Sequence, residues 1–174
     1  MNLRRATMAA SSALLLAAAT PAFAGHSSST MQHEATDKTA FMKKVASDGM
    51  AEVQICQLAL RQSNDAQLKQ VAQRLMDDHT QANQQLQQIA QSEGVSLPAE
   101  LMPEDQQKVQ KLQGKSGKAF DKQWIQMNLT DHRKDIKLFS MAGKELKDQP
   151  TRQFAQETLP KLKTHLQLVE QLTK

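Results

Sequence analysis

Four residues stand where an amphipathic helix would place aliphatic side chains: Glu52, His79, His132 and His165. The clearest case is His79. Around it the apolar positions run Leu68, Val71, Leu75, Ala82, Leu86 and Ile89, the three-and-four spacing of a helix face turned to a core, and His79 fills the slot between Leu75 and Ala82. A carboxylate and three imidazoles are costly to bury unless each finds a partner. One divalent transition metal would satisfy all four, since imidazole and carboxylate suit iron, zinc, copper or manganese. Asp48, Asp78, Asp131 and Asp135 are close enough in sequence to act as further ligands or to orient the imidazoles; Asp48 is one turn before Glu52, and Asp135 lies three residues after His132. The competing reading is a Glu hydrogen-bonded to protonated histidines, a polar layer that fixes the register of a bundle and binds nothing.

To bring these side chains together the chain needs four helices, and the spacing predicts them over residues 37–62, 65–93, 118–147 and 150–173. The first carries Phe41, Val45, Asp48, Glu52, Ile55 and Ala59 on one stripe; the third carries Ile125, Leu129, His132, Ile136, Phe139 and Leu146; the fourth carries Phe154, Thr158, Leu162, His165, Val169 and Leu172. Ser63-Asn64-Asp65 reads as a tight turn with Asn64 as cap and Gln67 in capping-box spacing, and Asp148-Gln149-Pro150 as the other turn. Between Gly94 and Gly117 lie Pro98, Pro103 and Gly114, a long connection in which Pro103-Glu104-Asp105 opens a short helix over residues 104–112. Pro160 is expected to kink the last helix or restart it. No segment alternates with period two, so the expected class is all-α: a ferritin-like four-helix bundle of two hairpins with a long second connection.

Counting from the turns places the four residues at one height. Glu52 is 12 residues before Asn64 and His79 is 15 after it, a mismatch of about 4.5 Å of helix rise. His132 is 16 before Asp148 and His165 is 17 after it. Being near mid-helix, the two pairs meet whether the second and third helices run antiparallel or are joined by a crossover.

The start of the chain has a different purpose. Arg4 and Arg5, an Ala/Leu-rich run over residues 12–20, and Ala22-Phe23-Ala24 ahead of Gly25 make a signal peptide over residues 1–24, with cleavage expected after Ala24 and export to the periplasm. Residues 25–36 read as a flexible polar leader. It carries His26, Met31 and His33, which with a new amino terminus could bind copper, although a solvated linker is the simpler reading. No later segment is a membrane span. Removing Arg4 and Arg5 lowers the net charge from +4 to +2, and with interleaved charges and no Tyr there is little to suggest nucleic-acid binding. The single Cys56 cannot close an internal disulfide and reads as a buried apolar residue.

Four motifs, in order, resemble those of a known family. They are Ala51-Glu52-Val53; Met76-Asp77-Asp78-His79; Phe120-Asp121 followed by Asp131-His132; and Leu159-Pro160-x-Leu162-x-x-His165-Leu166. Over residues 37–172 the chain resembles the DUF4142 family, exported bacterial proteins of unknown function with a ferritin-like bundle. That resemblance implies the fold and an envelope setting, and no activity. The chain departs from the di-iron carboxylate proteins, which carry Glu-x-x-His on two helices; here that motif does not occur. A histidine-rich set suits a single metal better.

Two readings of function follow. One is an exported metal-binding protein, with Glu52, His79, His132 and His165 as ligands, in metal handling or protection from oxidative or envelope stress. The other is a non-catalytic interaction or stress-response module with a structural polar layer. An enzyme is the less favoured class, because there is no Gly-rich phosphate loop and no exposed, basic setting for Cys56. A homo-oligomer and an envelope protein partner both stay open.

Overall fold

The computed structural model of the chain describes residues 24–174, with side chains from residue 28 onward. The expected signal peptide, apart from Ala24, lies outside the described residues, as does the side chain of His26. Among the described residues the helices are α1 (Ala24–Thr36), α2 (Lys38–Gln62), α3 (Ala66–Ser92), α4 (Pro103–Gln113), α5 (Gly117–Glu145) and α6 (Gln149–Gln171), and there is no strand. None of these helices is long and apolar enough to cross a membrane.

Local sequence sets the ends. Asp37 caps α2 by accepting from the Ala40 amide at 2.7 Å. Asp65, rather than Asn64, caps α3, accepting from the Gln67 and Leu68 amides, while Ser63 Oγ accepts from the Asp65 amide and holds the turn shut. Asp148 caps α6 through the Thr151 amide. Gly94 and Gly117 take positive φ, 66° and 54°, at the two ends of the long connection, where a side chain would be strained. Of the kink or restart expected at Pro160, the restart does not occur: α6 continues through it as one helix.

The long helices pack α2 on α3, α3 on α6, α6 on α5 and α5 on α2. Their apolar stripes form two clusters rather than one. The first gathers Ile55, Leu68, Leu75, Trp124 and Val169; the second gathers Phe41, Leu86, Phe139, Phe154 and Leu162. Helices α3 and α5 both run from the first cluster to the second, while α2 and α6 run the other way. So α3 and α5 are parallel, and the connection between them is a crossover. It leaves through Val95 and Leu97 at the second cluster and returns through Leu101, Val109 and Leu112 to the first, with α4 packed against α2 and α5. Between the two clusters every long helix contributes a polar residue, and this layer positions the site.

The segment expected to be a flexible leader is instead helical. α1 packs on α5 and α2, with Ala35 fully buried, Met31 against the second cluster, and Gln32 Nε2 donating to Glu145 Oε2 at 2.6 Å. Its only apolar spacing is the i, i+4 pair Met31 and Ala35, too little to announce a helix but enough to dock one.

Candidate metal centre

Three of the four expected residues converge. His79 of α3, His132 of α5 and His165 of α6 are buried, their ring centroids 5.3 to 5.7 Å apart, and each offers a nitrogen within 4.8 Å of the others. Partners fix the tautomers of two rings. His132 Nδ1 lies 3.0 Å from the carbonyl oxygen of Asn128, one turn earlier in α5. A carbonyl can only accept, so the proton sits on Nδ1 and the lone pair on Nε2. His165 Nε2 lies 3.0 Å from Asp78 Oδ2, so its proton sits on Nε2 and its lone pair on Nδ1. Those two lone-pair nitrogens, His132 Nε2 and His165 Nδ1, are 3.4 Å apart. The third ring, His79, has a buried Nε2 with no hydrogen-bond partner.

Electrostatics keep these rings neutral. Burial lowers the His79 pKa well below the ordinary value, and the neighbouring His132 and His165 lower it further. Burial, with His165 adding, brings His132 down to about 3 against the opposing pull of the Asn128 carbonyl. Burial also lowers His165, with Asp78 acting the other way. Burial pushes the Asp78 carboxyl up, yet hydrogen bonds from His165 and Arg74 outweigh it and hold the group below its usual value. Asp78 is therefore an ionised acceptor that aims His165, with Arg74 Nε at 2.7 Å on its outer side. Neutral imidazoles with converging lone pairs are the protonation state a metal requires.

Glu52 is not among the residues whose ligand atoms converge, although it lines one small cavity with His79. It is buried, but its surroundings are the acids of α2 and α5: burial raises its pKa well above the ordinary value, and Asp131, Asp135 and Asp48 raise it further. Counting from the turns addresses only the height of a residue, whereas Glu52 has acids of both α2 and α5 among its electrostatic neighbours. Of the four aspartates expected to support the site, Asp78 alone is bonded to one of the histidines. Asp48 and Asp131 are engaged by lysines, with Lys44 at 2.6 Å from Asp48 and Lys108 at 3.7 Å from Asp48, 3.0 Å from Asp105 and 3.3 Å from Asp131. Asp135 lies among the same acids, which together with burial raise its pKa. Lys108, contributed by the crossover, escaped the sequence reading; its signal was the Asp105-x-x-Lys108 spacing in α4. Asn128 escaped it too, because its part is played by a backbone carbonyl that any residue could supply.

Residues 22–172 match the model of a domain of unknown function, DUF4142. The chain belongs to the DUF4142 family. Its fold is shared more widely: the crystal structure of a DUF305 protein from Streptomyces coelicolor, described as secreted, superposes with a TM-score of 0.66 at 10% identity, over 80% of this chain and 93% of that one. A likeness at that identity carries the helical fold alone. No curated protein matches this DUF4142 chain in sequence.

Proposed function

We propose that this DUF4142 protein binds one divalent transition metal through His79, His132 and His165, with Asp78 orienting His165, and that it serves metal handling in an exported compartment. The observation that carries the reading is the pair of lone-pair nitrogens, His132 Nε2 and His165 Nδ1, held 3.4 Å apart with their protons committed elsewhere. Two acceptors facing each other in a dry interior repel unless something positive lies between them. Two nitrogens bound tetrahedrally to one zinc at 2.0–2.1 Å lie about 3.3 Å apart. Three imidazoles suit zinc, copper or iron, and a carboxylate on an outer ring nitrogen is the usual support of a metal-bound histidine. Burial favours holding a metal over turning over a substrate, since His132 is 0% and His165 2% exposed. The export signals of the sequence supply the compartment.

The test is cobalt(II) and zinc(II) titration of the purified protein without an affinity tag. One equivalent should bind, cobalt giving tetrahedral visible bands that zinc abolishes, and His132→Ala and His165→Ala should each lose the bands. Absence of uptake, or uptake unchanged in both variants, would leave the layer as a structural device.

A further inference from the structure

Beside His79 lies a small cavity of about 20 Å³, walled by side chains that include Asp48, Glu52, His79 and Asp135. That is room for one water or one ion. Glu52 is 3% exposed, and its Oε2 has no hydrogen-bond partner; His79 Nε2 is likewise buried and unpartnered. Of the other acids nearby, Asp105 and Asp131 are neutralised by Lys108, while Asp48 meets Lys44 and Lys108 through its Oδ1. Among the described residues neither Glu52 nor Asp135 has a basic group within ion-pair distance. Carboxyl groups in this position need a proton or a cation.

We propose that Asp48, Glu52 and Asp135, with His79 as the wall shared with the histidine cluster, form a second cation site that takes an oxygen-preferring divalent ion such as manganese(II). Carboxylate oxygens are the preferred donors of manganese and magnesium, whereas the all-imidazole cluster favours zinc or copper, so the two sites differ in what they select. The carboxylates wall the cavity from α2 and α5 rather than meeting at a point. A cation draws them inward, and Glu52, with the longest carboxylate side chain and a free oxygen, moves furthest. The site does not depend on metal at the three histidines.

Manganese(II) uptake, read by loss of the free-ion electron paramagnetic resonance signal, separates the two sites. Protein already saturated with zinc should take up one equivalent of manganese(II), and His132→Ala should still take it up. Glu52→Gln, nearly isosteric, should weaken manganese uptake at least tenfold while leaving zinc uptake intact. Asp135→Asn should do the same and carries the test if the first variant fails to fold by circular dichroism. No manganese uptake by the zinc-loaded protein, or uptake unchanged in the folded carboxylate variants, overturns the proposal. Manganese uptake without zinc uptake would overturn the histidine site and leave this one standing.

Discussion

At His132 a backbone carbonyl does what the Asp78 carboxylate does at His165: it accepts from the ring N–H and leaves a lone pair facing inward. The difference is testable, because only the carboxylate can be removed by substitution. Asp78→Ala should weaken metal binding about 10–100-fold, measured by chelator competition. The pKa directions give a second expectation. His132 is depressed from an ordinary 6.5 to about 3, so between those values the unfolded chain takes up a proton that the folded chain refuses. The stability contributed by its neutral form is present above pH 6.5 and is lost as pH falls through that window. Metal-free His132→Leu should therefore lose about 2 kcal/mol less than the wild type between pH 7 and pH 4.5 in urea unfolding, at about 1.4 kcal/mol per pH unit. The acids slope the other way. Asp48 is raised from 3.8 to about 6, burial being the largest cause, and Glu52 is raised well above 4.5. What their protonated forms contribute is present at low pH and lost as pH rises, so Glu52→Gln should gain on the wild type as pH rises above 4.5.

Between elements, packing and charge meet at two places. Gly49 of α2 lies so close to α3 that a Cβ there would collide with the Asn83 side chain. Gly49→Ala should cost about 1–3 kcal/mol by overpacking, and Asn83→Ala should restore most of it in a double-mutant cycle. The crossover is held by Lys108, which reaches three aspartates, one of them the fully buried Asp105. Lys108→Met keeps the apolar stem and removes the charge. It should cost about 2–3 kcal/mol, less than a fully buried pair because the ammonium meets some solvent, and speed amide exchange in α4. Periodicity made the long helices legible, since each carries its apolar stripe for six turns or more. It could not reveal α1, whose docking rests on Met31 and Ala35, nor the azimuth of Glu52, because residues at equal height on a helix can face different neighbours.

For the molecule as a whole, heights alone left the crossover undecided: residues at mid-helix meet under either wiring, and only the order of the two apolar clusters along α3 and α5 separates the cases. That same division sets the energetics. Apolar packing lies above and below a layer holding three neutral imidazoles and a carboxyl without an ion pair, so this central slice contributes least to the metal-free fold. A ligand that binds only where all three helices converge cannot bind the unfolded chain equally well, and its binding energy becomes folding energy. Zinc at about 100 times its dissociation constant should add about 2.7 kcal/mol. For a domain of this size that is about 5–11 °C in Tm. Differential scanning calorimetry should show the rise, its reversal by chelator, and no rise in His132→Ala. A purely structural layer predicts a lower Tm in the variant and no response to zinc in either protein.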